Sequence, residues 1–433
     1  MILKIIFLLL VKIIHAELID AELIDKSSTD QYHQKSSLYA WLERRSNLRK
    51  AKSDVLVNKI LSSDVSFVDS EIFIPSTLGQ KNHTSSTLNN AEKRNEVVFT
   101  VAMSETFMRR DVRNFVGTLR NTGFNGDIVV GIMKNSQEDF INALIEFNTI
   151  IYLIDVECKD ITSDHRMCSL KQNNKNNNHE ENPVKFSINM LRYYLYKWWS
   201  IKYTNPNTMI LISDFRDVFF QSNPFKYRKE LWNDDKSPYD LIIFQEAHPM
   251  KTILRCPFNS GWIKSCYGKD KLYQIGTFPV SCSGITIGLR DSILIYSHIM
   301  ISQLNPKIRL GKNNKSNSKS LMTNKNCISL GMDQGFHNWL IYGGILNKFM
   351  NIKKFQQGEG PVSTIGAFYQ GKNALLKYNL SEWKILRGKN DQKYISNWDN
   401  LPSPVVHQAD RFLESDLKDD YTKHLKIFQK FVH

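Results

Sequence analysis

Between Glu96 and Val156 three short apolar runs alternate with two stretches of helical periodicity, and this alternation limits the fold more than any other feature. Val97–Met103 (VVFTVAM), Asp127–Ile132 (DIVVGI) and Thr149–Val156 (TIIYLIDV) are rich in β-branched residues and apolar on both faces, as strands of a covered sheet are. After the first run, Val112, Phe115, Val116 and Leu119 fall at helical spacing, and Gly123 and Gly126 punctuate the turn. After the second, Ser136–Phe147 is helical in pattern. Strand–helix–strand–helix–strand predicts an α/β unit with a parallel sheet. With 433 residues, 42% of them hydrophobic, the chain can bury a substantial core and still carry appendages.

Further along, Asn182 as cap and Pro183 in the first turn predict a strong helix, with Met190, Leu191, Tyr194, Leu195 and Trp198 on its apolar face. It leads into Thr208–Ser213, a buried-type strand that ends abruptly in Asp214, Arg216 and Asp217 (TMILISDFRDVFFQSNPF). In open α/β sheets ligands bind at the carboxyl ends of strands. Carboxylates set there need a cation or hydrogen-bond donors. Two readings stand at this point. The acids pair with Arg216 or another arginine and fix a turn, or they hold a divalent cation that in turn holds phosphates. Downstream, Pro404-Val405-Val406-His407 is a short apolar run ending in a histidine, which can complete a carboxylate and imidazole set suited to Mn²⁺. Ser283–Gly288 (SGITIG) is a small-residue segment feeding a strand, fit either for a close ligand approach or for a tight turn. Met332-Asp333-Gln334-Gly335 opens an amphipathic helix bearing Phe336, Trp339, Leu340 and Tyr342. Asp333 is there as an N-terminal helix acid, or it faces a reaction centre as base or positioning group.

Taken together, S-D-F-R-D-V-F-F-Q-S-N-P-F, D-Q-G-x-H-N and V-V-H-Q-x-D-R, in this order, resemble glycosyltransferases of the GT-A fold, in particular eukaryotic members with a D-x-R-D run. The resemblance covers about Glu96 to Phe412. It implies a Rossmann-like nucleotide-binding half fused to an acceptor-binding half around a central, mostly parallel sheet. It also implies a nucleotide-sugar donor carrying UDP or GDP, a glycan or glycoprotein acceptor, and Mn²⁺ or Mg²⁺ as cofactor. By the same resemblance Asp214, Asp217 and His407 are metal ligands, Thr100 and Ala102 line the nucleotide pocket, and Asp214 and Arg216 belong to the donor-binding set; Arg192, on the helix before the acidic strand, either pairs with a phosphate there or lies on a solvated helix face. Asp333 and Gln334 are then the catalytic or positioning pair. One departure matters: the acids stand two residues apart instead of one, and on a straight strand residues so spaced face opposite ways. The chain must bend near Phe215 for both to meet one cation. Otherwise one acid serves the metal or ribose and the other pairs with Arg216. The other classes weighed are a metal-dependent phosphoesterase, which wants further Asp and His ligands, and a non-catalytic luminal sugar-binding protein of the same fold.

The ends of the chain bear on compartment. MILKIIFLLLVKIIHA has the basic start, apolar run and small residue of a signal peptide at 1–16, with a signal-anchor as the other reading. Residues 17–95 read as a stem with an amphipathic helix from Leu38 to about Leu61 and a Ser/Thr/Asn-rich linker. The catalytic domain is expected over 96–415, interrupted by a low-complexity insert near 170–182, and 416–433 reads as a helical tail. These features point to the secretory pathway: the lumen of the Golgi or endoplasmic reticulum, or secretion. Membrane contact is expected only if the first segment is kept as an anchor. Sequons at Asn82, Asn314 and Asn379 and six cysteines agree with that route, and local bridges Cys158–Cys168 and Cys256–Cys266 are expected in loop-like stretches. Trp262, in the second of these, is the candidate for acceptor contact, whereas Trp198 reads as core. The net charge of +14 favours acidic partners, but the basic residues are scattered and no nucleic-acid motif is present, so nucleic acid is not an expected partner.

Overall fold

Successive residues of the central strands point to opposite faces, and the two faces carry separate cores. Val97, Phe99, Ile210 and Ile212 belong to one, while Val98, Ala102, Ile128 and Leu211 belong to the other. A computed structural model describes residues 28–62, 72–73, 96–162, 165–170, 186–227, 239–246, 251–304, 331–368, 385–387, 393–397 and 400–409. The chain divides into two units, Met1–Asp54 and Val55–His433. The described part of the first is helical, within α1 (Ser28–Ser62). In the second, Val57 and Ile60 are buried in the first of the two cores.

The strand β1 (Ile72–Phe73) precedes β2 (Glu96–Ala102). Helix α2 follows in three segments, α over Arg109–Val112, π over Arg113–Gly117 and α again over Thr118–Asn121. Then come β3 (Asp127–Met133), α3 (Glu138–Glu146) and β4 (Ile150–Ile154). A small sheet is made by β5 (Val156–Thr162), β6 (His165–Leu170) and β7 (Phe186–Ser187). Helix α4 (Ile188–Lys202) leads to β8 (Met209–Asp214) and β9 (Val218–Phe220). The second half holds β10 (Leu241–Gln245), α5 (Pro257–Tyr267), α6 (Lys269–Ile275), β11 (Ser281–Leu289), α7 (Arg290–Ser302) and α8 (Met332–Tyr342). It ends with β12 (Ile352–Phe355), β13 (Val362–Thr364), β14 (Ile385–Arg387), β15 (Lys393–Ile395) and β16 (Val405–His407).

The main sheet has eight strands in the order β1-β4-β3-β2-β8-β11-β10-β12. It is α/β and mostly parallel, as expected: β4/β3, β3/β2, β2/β8 and β10/β12 are parallel, while β1/β4, β8/β11 and β11/β10 are antiparallel. From β2 the chain builds outward through β3 to β4, then returns to place β8 on the other side of β2. This reversal makes a topological switch point between β2 and β8, where a crevice opens at the carboxyl ends. Asp214 is the last residue of β8 and lies opposite Val101 of β2.

Several expectations change. The helix predicted from Pro183 begins at Ile188, because Phe186 and Ser187 are first paired with Cys168 and Met167 of β6. The stretches around Cys158 and Cys168 are strands, not loops, and the register of β5 and β6 sets the two cysteines opposite each other. Cys256 is a free, buried thiol while Cys266 is disulfide-bonded, so the expected Cys256–Cys266 bridge is not formed. Pro257 sits in the first turn of α5 and starts a helix there, which places Trp262 on a helix rather than in a loop. Ser283–Gly288 lies within β11 itself. The proposed signal segment, the linker, most of the insert near 170–182, the tail, Cys327 and all three sequons lie outside the described residues. Among the described residues no helix is long and apolar enough to cross a membrane.

Candidate functional site

The alternation that builds β8 also aims its last residue. Ile210 and Ile212 face the first core, so Asp214 falls on the same side, where α4 packs with Leu191, Leu195 and Trp199. Arg192 on α4 donates from Nη1 to Asp214 Oδ1. Phe215 falls on the other side and its ring is 2% exposed. It lies 5.3 Å from Phe107, 5.2 Å from Phe115 and 5.7 Å from Phe140, centroid to centroid. With that ring anchored in the second core, the strand ends and the chain turns through Arg216, which is exposed, before β9 begins at Val218. The bend required by the spacing of the acids is therefore present.

The histidine arrives through sheet register. β16 pairs antiparallel with β9 and sets His407 opposite Val218, one residue past Asp217; Ala409 N donates to Asp217 O at 3.1 Å. On its other side β16 pairs with β13, which puts Thr364 beside His407. The imidazole is fully buried, with Nδ1 3.4 Å from Thr364 Oγ1 and 3.7 Å from Cys282 Sγ. Nε2 faces the acids, 3.4 Å from Asp214 Oδ2 and 3.9 Å from Asp217 Oδ1.

One ligand atom from each of Asp214, Asp217 and His407 lies within 4.8 Å of the others. Two ligands about 2.1 Å from one octahedral ion stand roughly 3 Å apart when adjacent and about 4.2 Å apart when opposite. Both His407 distances fall in that range. Two carboxylate oxygens and one imidazole nitrogen form a donor set for Mn²⁺ or a similar hard cation, so the residues fit a divalent metal. Burial works against ionising Asp214, yet Arg192 and then His407 outweigh it and hold its carboxyl below the usual range. Burial likewise opposes protonating His407, but Cys282, Asp214 and Asp217 outweigh it and hold the imidazole well above the ordinary histidine value.

Gly284 is pressed against this centre: a Cβ on it would lie 2.2 Å from Asp214 Oδ2 and 2.9 Å from His407 Cε1. The small-residue segment thus makes room for the acid and the histidine. Asp333 is 2% exposed and accepts from Arg192 Nη2, from Ser283 Oγ at 3.0 Å and from Asn189 Nδ2 at 3.5 Å. Its neighbour Gln334 is half-buried and donates to Asn259 Oδ1 at 3.3 Å. Thr100 and Ala102 are fully buried, and Thr100 Oγ1 donates to Ser213 O at 2.9 Å, stitching β2 to β8. Trp262 packs its ring against the backbone at Gly331, where a Cβ would come within 2.4 Å of it. The structure thus gathers Asp214, Asp217, His407, Arg192 and Asp333. It adds Ser283, Gly284, Thr364 and Cys282, of which only the small-residue segment carried a signal in sequence.

No protein-family model and no curated protein matches the sequence. Among solved structures the fold is similar to that of the galactosyltransferase LgtC in complex with donor and acceptor sugar analogues. That similarity spans 78% of this chain and 95% of LgtC at 13% identity, with a TM-score of 0.36. An active-site variant of LgtC is similar over 76% of this chain and 95% of its own, at 11% identity and a TM-score of 0.38.

Proposed function

We propose that this chain is a divalent-metal-dependent glycosyltransferase of GT-A type, moving a sugar from a UDP- or GDP-sugar to a hydroxyl of a glycan or protein. One observation carries the reading. Two carboxylates and a buried imidazole converge on a single point at the carboxyl end of the strand that borders the sheet's switch point. A cation held there by Asp214, Asp217 and His407, Mn²⁺ or Mg²⁺, supplies positive charge against a leaving diphosphate. A phosphoesterase would call for more ligands, and among the described residues these three are the group that can hold a metal.

The chain's own residues divide the remaining work. His407 keeps Nε2 toward the acids because Thr364 and Cys282 occupy its other edge. Gly284 lets β11 approach closely enough for Asp214 to lie over its backbone. At the end of β2, half-buried Met103 and Ser104 are better placed to meet a nucleotide than the buried Thr100 and Ala102. Of the two roles open to Asp333, burial and the ion pair with Arg192 favour positioning over proton abstraction. Gln334 is the member of the pair left to meet the reacting sugar. The disulfide at Cys266 supports an oxidising compartment, which agrees with a lumenal or secreted enzyme.

Hydrolysis of a panel of UDP- and GDP-sugars with Mn²⁺ tests the reading, comparing the wild type with Asp217→Ala and His407→Ala. Both variants should lose turnover on the order of 10²-fold or more. Unchanged turnover in both overturns the metal assignment. Hydrolysis that is equal with Mn²⁺ and with a chelator overturns the metal dependence.

A further inference from the structure

The sequence sets Arg192 against a phosphate, but its surroundings turn it inward. A guanidinium carries five N–H donors in one plane. Here Nη1 donates to Asp214 Oδ1, and Nη2 donates to Asp333 Oδ2, to Ser283 Oγ at 3.1 Å and to Ser283 O at 3.4 Å. Nε is buried without a partner, and the side chain is 12% exposed. The partnered η nitrogens face two carboxylates and a serine, and the one nitrogen without a partner is buried away from an incoming phosphate.

The two oxygens of Asp214 are divided between two tasks. Oδ1 meets Arg192, and Oδ2 is the one 3.4 Å from His407 Nε2. Asp333 is in turn anchored by Ser283 and Asn189, and it sits in the first turn of α8, where the helix dipole favours negative charge. The fork therefore has one tine on an anchored acid and the other on the acid of the metal centre.

We propose that Arg192 and Asp333 are a positioning pair for the metal centre. Asp333 holds the guanidinium, and the guanidinium holds Asp214 with Oδ2 turned toward the cation. Neither residue touches the phosphates. The inference rests on reading Asp214, Asp217 and His407 as metal ligands. Partners one shell out from a metal commonly change its affinity about 10- to 100-fold. A lysine cannot replace the fork, because a point charge cannot hold two carboxylates in a fixed plane.

The test is calorimetry with Mn²⁺ alone, followed by UDP and GDP titrations in the absence of metal. Arg192→Met combined with Asp333→Asn removes both charges of the inner pair, so no unmatched buried acid remains at Asp333. The double variant should melt cooperatively in chelator and bind Mn²⁺ about 10- to 100-fold more weakly than wild type. Asp333→Asn alone should also weaken Mn²⁺ binding, although Asp333 is not a ligand. Arg192→Lys should fall between wild type and the double variant, and it keeps the test open if the double variant does not fold. Metal-free nucleotide affinity should be unchanged in all three. A folded double variant, or Arg192→Lys, with wild-type Mn²⁺ affinity overturns the inference while leaving the metal centre standing. A drop in metal-free nucleotide affinity also overturns it, by showing that Arg192 meets phosphate. A wild type that binds no Mn²⁺ overturns the metal-centre reading and this inference with it.

Discussion

Replacing Gly284 with alanine perturbs the candidate centre without removing a ligand atom or changing a charge. The added Cβ would lie 2.2 Å from Asp214 Oδ2, 2.9 Å from Asp214 Cγ and 2.9 Å from His407 Cε1. Relieving the first contact requires a retreat of roughly 1 Å, since unstrained non-bonded contacts begin a little above 3 Å. Neither neighbour gives freely: Arg192 holds Asp214 by its other oxygen, and His407 is fully buried. Overpacking of this kind costs about 1–3 kcal/mol. A 1 Å misplacement costs on the order of 10²-fold in rate, and a disturbed ligand set about 10- to 100-fold in metal affinity. Gly288→Ala is the control. It overpacks the same strand against Asp240 O and Leu241 Cδ1, each at 2.9 Å, four residues from the centre. Both variants should lose stability in chemical denaturation with chelator present, but only Gly284→Ala should lose Mn²⁺ affinity in calorimetry and turnover in donor hydrolysis. Wild-type Mn²⁺ affinity in Gly284→Ala, or an equal loss in Gly288→Ala, would refute the reasoning.

Two further predictions concern buried groups outside the centre. His337 is fully buried between Ser281 Oγ at 2.9 Å and Tyr296 OH at 2.7 Å, and burial, then Arg192, pushes its pKa down to about 3. The unfolded chain takes up this proton first, so the associated stability is complete above pH ~6.5 and falls by about 1.4 kcal/mol per unit toward pH 3. Urea unfolding between neutral pH and pH ~4.5 should show that slope in the wild type and a flatter one in His337→Gln; equal slopes would sink the argument. Cys256 is a free thiol and Cys266 is bridged, so Cys256→Ser should leave the disulfide count by mass spectrometry unchanged while Cys266→Ser lowers it by one. A disulfide lost in Cys256→Ser would contradict the pairing.

What was legible in sequence is what is written locally. The period of each element depends on its own residues, so Val97–Met103, Asp127–Ile132 and the helix at Met332 lie within a residue or two of the observed elements. The acids could be read because a buried strand rarely ends in charge without a partner. Partners could not be read, because they depend on register between distant strands. Arg192 meets two acids from β8 and α8, far apart in sequence. Cys256 resembles half of a local bridge until α5 forms through Pro257. The small sheet of β13, β16 and β9 is too short to show a period at all, yet its pairing delivers His407 to Asp217.

The spacing of the acids, a departure from D-x-D at the level of sequence, follows from the same geometry. Asp214 continues the face set by Ile210 and Ile212, so it must point toward α4. Phe215 must point the opposite way, and a cluster of three phenylalanine rings waits there for it. The strand ends at Asp214, so alternation stops there, and the turn that follows carries residue 216 outward and brings residue 217 around to the point Asp214 faces. Arg216 is exposed on the outside of the turn, and Asp217, just past it, sets its carboxylate 3.9 Å from His407 Nε2, beside that of Asp214 at 3.4 Å. D-F-R-D is then one unit of acid, anchor, turn and acid. Its second acid meets the histidine because β9, which starts immediately afterward, pairs with the strand that carries His407.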